Sequence, residues 1–248
     1  MSDDYTIADH EFRDDDAYAF GKYRLTTRWL QSLGTRGTLL NIGCGAGQFN
    51  ALAVELGFTV HGFEPDPEAF ALAIGNLPPE RCDVQELGIE EIPGERVADV
   101  IVMHDVLEHI EDEASTVARL ATLLKPDGVL VTSVPALPTL FGYHDEQLGH
   151  FRRYTRRTLR AALQPAFRID RLRYYGTTMV PVTLWFSRIR RAPYPTADAA
   201  GGGFTGRALG AVCRAEARIP GPLGTSLVCM ARPRADQCRP TTSSTNSS

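Results

Sequence analysis

Lysine is nearly missing from this chain of 248 residues. Lys22 and Lys125 are the only two, and arginine carries the rest of the positive charge. Cysteine is sparse too. Cys44, Cys82, Cys213, Cys229 and Cys238 are scattered, odd in number and form no Cys-x-x-Cys pair, which excludes a disulfide framework and a cysteine-rich zinc site. Long apolar runs are also absent. The longest, Met179 to Phe186, is far short of the ~20 residues that a membrane span needs. The first sixteen residues have no apolar stretch and so no signal-peptide pattern. A cytoplasmic chain with no membrane span is the expectation. A formal net charge of -4 gives no global attraction to nucleic acid.

What is present is ordinary in amount and uneven in placement. Hydrophobic residues make up 43% and charged residues 23%, which fits a globular chain. Residues 1–16 hold seven acids and one base, whereas residues 152–173 hold eight arginines and one acid. Strand-like and helix-like patterns alternate from 38 to 163, which predicts a parallel sheet covered on both faces. The expected strands are 38–42, 58–63, a short one near 82–87, 98–104, 129–134, 167–174 and 226–231. Residues 135–154 read as a long loop. Residues 176–204 combine an apolar helix with a Pro- and Gly-rich stretch, and both segments suit the wall of a site.

The densest signal is Leu39-Leu40-Asn41-Ile42-Gly43-Cys44-Gly45-Ala46-Gly47. An apolar strand runs into three alternate glycines and then a helix. Glycine accepts positive φ and lets a ligand approach the backbone. In a doubly wound sheet, ligands bind beyond the carboxyl ends of the strands. Those ends carry Gly43, Gly45 and Gly47, then Glu64, Asp83 and His104. Glu64 suits a ribose diol, and Asp83 suits an adenine amine. The dinucleotide pattern Gly-x-Gly-x-x-Gly fails, because its sixth place is Gln48, and no Gly-Lys-Ser/Thr exists for a P-loop.

These segments resemble class I S-adenosylmethionine-dependent methyltransferases. Leu40 to Gly47 looks like their first motif, and Gly62-Phe63-Glu64-Pro65-Asp66 like the second. Cys82-Asp83-Val84 looks like the adenine-contact segment. Asp105-Val106-Leu107-Glu108-His109-Ile110 is similar to the segment after strand four in the branch that includes the ubiquinone-pathway O-methyltransferases. Leu124 to Leu130 looks like the turn before strand five. The resemblance covers roughly residues 20–172. It implies an α/β, Rossmann-like, seven-stranded mixed sheet with helices on both faces, an N-terminal helical cap and a C-terminal lid insertion.

The resemblance also implies S-adenosyl-L-methionine as cofactor. Tyr23, Arg24, Asn41, Gly43, Cys44, Gly45, Gly47, Glu64, Pro65, Asp83, Val84, His104 and Asp105 would bind it. Tyr18 is a further aromatic on the first helix. Asn41 departs from the family, which usually has an acid there. Asn41 still offers a carbonyl oxygen but no charge. The expected organisation is one methyltransferase domain over 1–248. It comprises a cap helix at 17–37, a cofactor core at 38–172, a lid at 173–204, a last helix and strand at 205–234 and a disordered tail at 235–248.

Methyl transfer to a hydroxyl gains from a positioned base. The candidates are His144 and His150 in the 135–154 loop and His104 after strand four. No metal is expected, because the spacing of His144, Asp145, Glu146 and His150 matches no common motif. Arg152, Arg153, Arg156 and Arg157 are available to an anionic substrate. The expected acceptor is a small molecule, with O-methylation favoured over N- or C-methylation. The oligomer is either a monomer or a homodimer. The rivals are an RNA or protein methyltransferase, which the basic 152–173 stretch favours, an NAD-dependent oxidoreductase, which Gln48 opposes, and a non-catalytic cofactor-binding scaffold.

Overall fold

Alternate residues along the central strands face two different apolar layers. Leu40, Ile42, Ile101, Met103 and Leu130 lie on one face of the sheet with Val117, Leu120, Leu159 and Leu163. Leu39, Val60, Val100, Val102, Val129 and Val131 lie on the other with Leu25, Trp29, Leu30, Phe49 and Ala53. Strands buried on both sides are the signature of a parallel sheet between helical layers. The computed structural model describes residues 17–76, 82–192 and 211–234.

Helix α1 (Ala17–Leu33) precedes β1 (Gly37–Ile42), α2 (Gln48–Glu55), β2 (Phe58–Phe63), α3 (Pro67–Gly75) and β3 (Cys82–Gln85). Then come β4 (Ala98–His104), α4 (Glu113–Leu123), β5 (Leu124–Pro135), α5 (Tyr143–Gln147), α6 (Arg156–Leu163), β6 (Phe167–Tyr175), α7 (Val180–Thr183) and β7 (Ser226–Pro233). The strand order is β3-β2-β1-β4-β5-β7-β6. Strands β1 to β5 pair in parallel, and β7 runs antiparallel to both β5 and β6. This is the expected seven-stranded mixed sheet. The order reverses between β1 and β4, which is where an open α/β sheet binds its ligand.

Local chemistry sets several element ends. Asp66 caps α3 by accepting from the backbone of Glu68 and Ala69, and Pro67 occupies the first helical position. Thr155 and Thr158 form a reciprocal cap on α6. Asp112 caps α4 through Ser115.

Three segments differ from the sequence reading. Strand β5 begins at Leu124 rather than Val129, because Ala98 already pairs with Leu124 and the Lys125–Gly128 turn bulges out of the ladder. The 135–154 loop is folded: a 3-10 turn at Pro138–Leu140 and α5 lie within it, and Ala136 bridges to Tyr154. Strand β6 continues to Tyr175, so the expected boundary between core and lid at 172 falls inside a strand. Helix α7 is followed by a π-helical stretch, Leu184–Arg190. Residues 193–204 of the expected lid, the 235–248 tail and the acidic 1–16 stretch lie outside the described residues.

Candidate active site at the strand ends

The turn after β1 is left-handed at each glycine: φ is 65° at Gly43, 54° at Gly45 and 86° at Gly47. A side chain at Gly43 would collide with Val106, 2.3 Å from the added carbon, whereas one at Gly45 would meet nothing within 4 Å. The Gly45 backbone therefore faces open space. Beneath it, the Glu64 carboxylate accepts from Gly45 N at 2.8 Å and from Asp66 N at 3.1 Å. An ionised carboxylate has further lone pairs, so Glu64 holds the turn and can still accept from a diol. An open backbone cradle with one acid and no basic group on the turn fits an adenosine ligand without a pyrophosphate.

Asn41 points at α2. Its amide donates to Asn50 Oδ1 at 2.7 Å inside the protein. The side chain at position 41 thus ties β1 to α2, and its oxygen is the polar atom left over. Burial first, then the nearby Glu64 carboxylate, pushes the Cys44 thiol up to about 12, so it stays protonated. Val84 packs toward Gly62, 3.3 Å from where a side chain there would begin. Asp83 is turned to the other side of the strand. It accepts from Gln85 Nε2 at 2.7 Å and lies 3.6 Å from His61 Nδ1.

His104 is half-buried beside two aromatic rings. Tyr23 and Phe49 each lie 5.2 Å from it, centre to centre. Its nitrogens meet Thr26 Oγ1 at 3.2 Å and Ser133 Oγ at 3.1 Å. Burial holds it neutral, with its pKa lowered to about 3. Arg24 is exposed. Its neighbour Lys22 is the buried cation of α1 and pairs with Asp105. Sequence reasoning passed over Lys22. The signal was available, because Tyr18, Lys22, Leu25 and Trp29 share one helical stripe. Gly21 lets that stripe sit close to the sheet, since any side chain there would strike Tyr175.

A second cluster organises the 136–154 loop. Asp145 is fully buried. It accepts from Gly142 N at 3.0 Å, His150 Nδ1 at 2.9 Å and Arg153 Nε at 2.6 Å. Burial opposes its ionisation, but His150 and Arg153 outweigh that and hold the carboxyl below its ordinary value. Burial lowers His144 to about 4. His150 stands edge-on to His109, with centres 4.6 Å apart. Of the four arginines offered to an anion, Arg153 is therefore internal, and Arg152 binds Glu113 and the Glu111 carbonyl. Arg156 stacks on Tyr174.

Comparisons with known proteins agree with this geometry. Residues 12–166 match the family model described as a methyltransferase domain. A ubiquinone biosynthesis O-methyltransferase of Rhodopseudomonas palustris is 32% identical over 99 residues, which is 38% of each chain. The relative from Acinetobacter baumannii is 34% identical over 97 residues, 36% of this chain and 40% of that one. The matches thus span well under half of these relatives. Among solved structures, the 1,6-didemethyltoxoflavin-N1-methyltransferase of Burkholderia thailandensis superposes with a TM-score of 0.55 at 20% identity, covering 89% of this chain and 79% of that one. The PH0226 protein of Pyrococcus horikoshii superposes with a TM-score of 0.64 at 12% identity, covering 94% and 100%. Such low identities speak for the fold alone. With the glycine turn, Glu64 and the strand order already in place, the family match decides the matter: this chain belongs to the methyltransferase-domain family, among the class I S-adenosylmethionine-dependent methyltransferases.

Proposed function

We propose that this chain methylates a hydroxyl oxygen of a small-molecule acceptor. The observation that carries the reading is the lining of the β4, β5 and β7 ends. Two hydrogen-bonded groups gather there, Ser133 with Asp105 and the Tyr18 hydroxyl with Thr225 and Ser226. Buried oxygen groups at a site favour a ligand that hydrogen-bonds to them and disfavour one that cannot. The names of the relatives, O-methyltransferases of ubiquinone biosynthesis, support the same choice.

In this reading the backbone at Gly43, Cys44, Gly45 and Gly47 cradles the cofactor. Glu64 receives the ribose, and Pro65 turns the chain away beneath it. Val84 and the strand carrying Asp83 border the adenine. The Asn41 oxygen meets the methionine amino group, and Tyr23 and His104 wall the pocket with their rings. Lys22, and not the exposed Arg24, is the cation of α1 that reaches the site, where it faces Asp105 on the acceptor side. His144 and His150 shape the wall of the acceptor loop, since Asp145 already engages His150 Nδ1. The cofactor supplies an activated methyl group, so the chain's own task is to orient the acceptor and exclude water.

The test is a labelled-methyl transfer screen against fractionated host metabolites and a panel of catechols, phenols and amines. Label in an alkali-stable methyl ether is the expected result. Label only in amines or carbon acids, or only in RNA or protein, would reject the reading.

A further inference from the structure

Lys22 is 6% exposed. An ammonium removed from water costs several kcal/mol unless it is paired and hydrogen-bonded. Among the described residues, its one hydrogen-bond acceptor is Asp105. An ammonium has three donors, so two N–H groups have no acceptor among the described residues. The Tyr18 ring centre lies 5.1 Å from Nζ and covers one flank.

Asp105 is the outward half of the pair: 34% of its side chain is exposed, against 7% for Lys22. Ser133 Oγ donates to its Oδ1 at 3.0 Å. Its backbone is left-handed, with φ 54°, although it is not glycine. Such a conformation costs about 1–3 kcal/mol and persists where the surroundings over-determine it. Here the Asp105 N–H donates to the Ser133 carbonyl at 2.9 Å. A buried cation with spare donors, an accessible carboxylate and a strained backbone therefore coincide at one point.

That point lies across the glycine turn from Glu64. Strand order puts β2 and β3 on one side of β1 and β4, β5 and β7 on the other. Val106, the residue after Asp105, is the side chain that closes on Gly43. Asp105 thus adjoins the turn that holds the methyl donor, on the half of the sheet edge left for the acceptor. His104 has both nitrogens engaged there, which leaves Asp105 as the accessible proton acceptor.

We propose that Lys22 and Asp105 form the subsite for the acceptor oxygen, with Asp105 taking the hydroxyl proton and Lys22 donating an N–H to the oxygen that loses it. This rests on the hydroxyl-methylation reading above. In the transfer the acceptor oxygen forms a C–O bond to the methyl carbon. The C–S bond breaks with its electron pair retained on sulfur, and the hydroxyl proton passes to a carboxylate oxygen of Asp105. Burial resists ionisation of Asp105, but Lys22 outweighs it and keeps the carboxylate charged. Burial likewise resists the charge on Lys22, and Asp105 outweighs it. Lys22 stabilises the oxyanion, so the proton passes to Asp105 in the bound complex, before the bond to carbon forms. The titratable and charged groups that act on Asp105 are Lys22 and Tyr18 from α1, His104 from β4, and Glu108 and His109 from the turn that follows.

The experiment uses 4-nitrocatechol, whose visible band reports its ionisation, titrated into the full chain saturated with S-adenosylhomocysteine at a pH where the free probe is neutral. The wild type is expected to bind it with the ionised spectrum. Asp105→Asn and Lys22→Met should each weaken its binding at least tenfold and lose the ionised band, while binding S-adenosylhomocysteine within about twofold of wild type, which also shows that they are folded. No binding by the wild type, a neutral bound spectrum, or unchanged binding in both variants overturns the proposal. So does a tenfold loss of S-adenosylhomocysteine affinity in Lys22→Met with 5'-methylthioadenosine unaffected, since Lys22 would then serve the methionine carboxylate. An ionised bound spectrum without methyl transfer to any hydroxyl in the screen would remove the functional reading and leave the subsite. Transfer without the spectral change would remove the subsite alone.

Discussion

Glu64 has two duties, and they separate by substitution. It braces the glycine turn through Gly45 N and Asp66 N, and it is the acid placed for a ribose. A hydrogen bond to a charged group contributes about 1.5–3 kcal/mol. Glu64→Gln keeps one oxygen for the turn and loses the charge and one acceptor. Isothermal titration should show S-adenosylhomocysteine binding weakened by about tenfold to a hundredfold, while a lower melting temperature of the free protein reports separately the one turn hydrogen bond that is lost. Unchanged affinity would remove Glu64 from the cofactor site. Asn41 is a contrasting case. Its partner is a protein side chain, Asn50, so the missing acid at this position is also a packing choice between β1 and α2.

Helix α6 shows how an element carries a site it does not itself form. It starts two residues after Tyr154, whose N–H bonds to the last residue of β5 at 2.8 Å. Any shift of its first turn therefore moves the end of the acceptor loop. Its sequence opposes a stable start, because Arg156 and Arg157 lie in the first turn with no acid there, against the helix dipole. The Thr155–Thr158 cap offsets this. Thr155→Ala should lower unfolding free energy by about 1 kcal/mol, read as a lower urea midpoint with unchanged slope. A neutral result would mean that packing of Leu159 and Leu163 alone holds the helix. Arg156, Arg157, Arg160, Ala161 and Gln164 also line an outward cleft of about 500 Å³, which takes three of the eight arginines of the basic 152–173 stretch.

For the whole molecule, half-buried histidines set the response to acid. Burial lowers His104 to about 3 and His144 to about 4, from an ordinary 6.5. A depressed group adds stability that is fully present above its unfolded pKa and is lost as pH falls through the folded one. Between pH 6.5 and about 4 the unfolded chain takes up protons that the folded chain refuses, so stability falls. Asp145, held low by His150 and Arg153 once its burial is outweighed, extends the loss to still lower pH. Urea midpoints should drop steadily from pH 7 to pH 4.5, and His104→Gln should flatten that slope. A flat wild-type profile across this range would show that the histidines titrate freely in the folded state. No helix among the described residues is long and apolar enough to cross a membrane.

Alternation of apolar residues, the glycine spacing and the caps at Asp66 and Thr155 are local, so the sequence by itself determined the order of strands and helices, the parallel character of the sheet and the ligand turn. Gln48 in the sixth place was enough to set aside the dinucleotide pattern. Only the tertiary structure decided which side chains meet. The Lys22–Asp105 pair joins residues 83 positions apart, and Asp145 gathers His150 and Arg153 only because the 136–154 loop folds back on itself. Asp83 reads as an adenine contact from its position at a strand end, and only the fold shows its carboxylate beside His61 and Gln85. The physical reason is the same in each case. Backbone pattern and capping depend on neighbours within a few residues, whereas the direction of a polar side chain depends on charges and acceptors that folding brings from elsewhere.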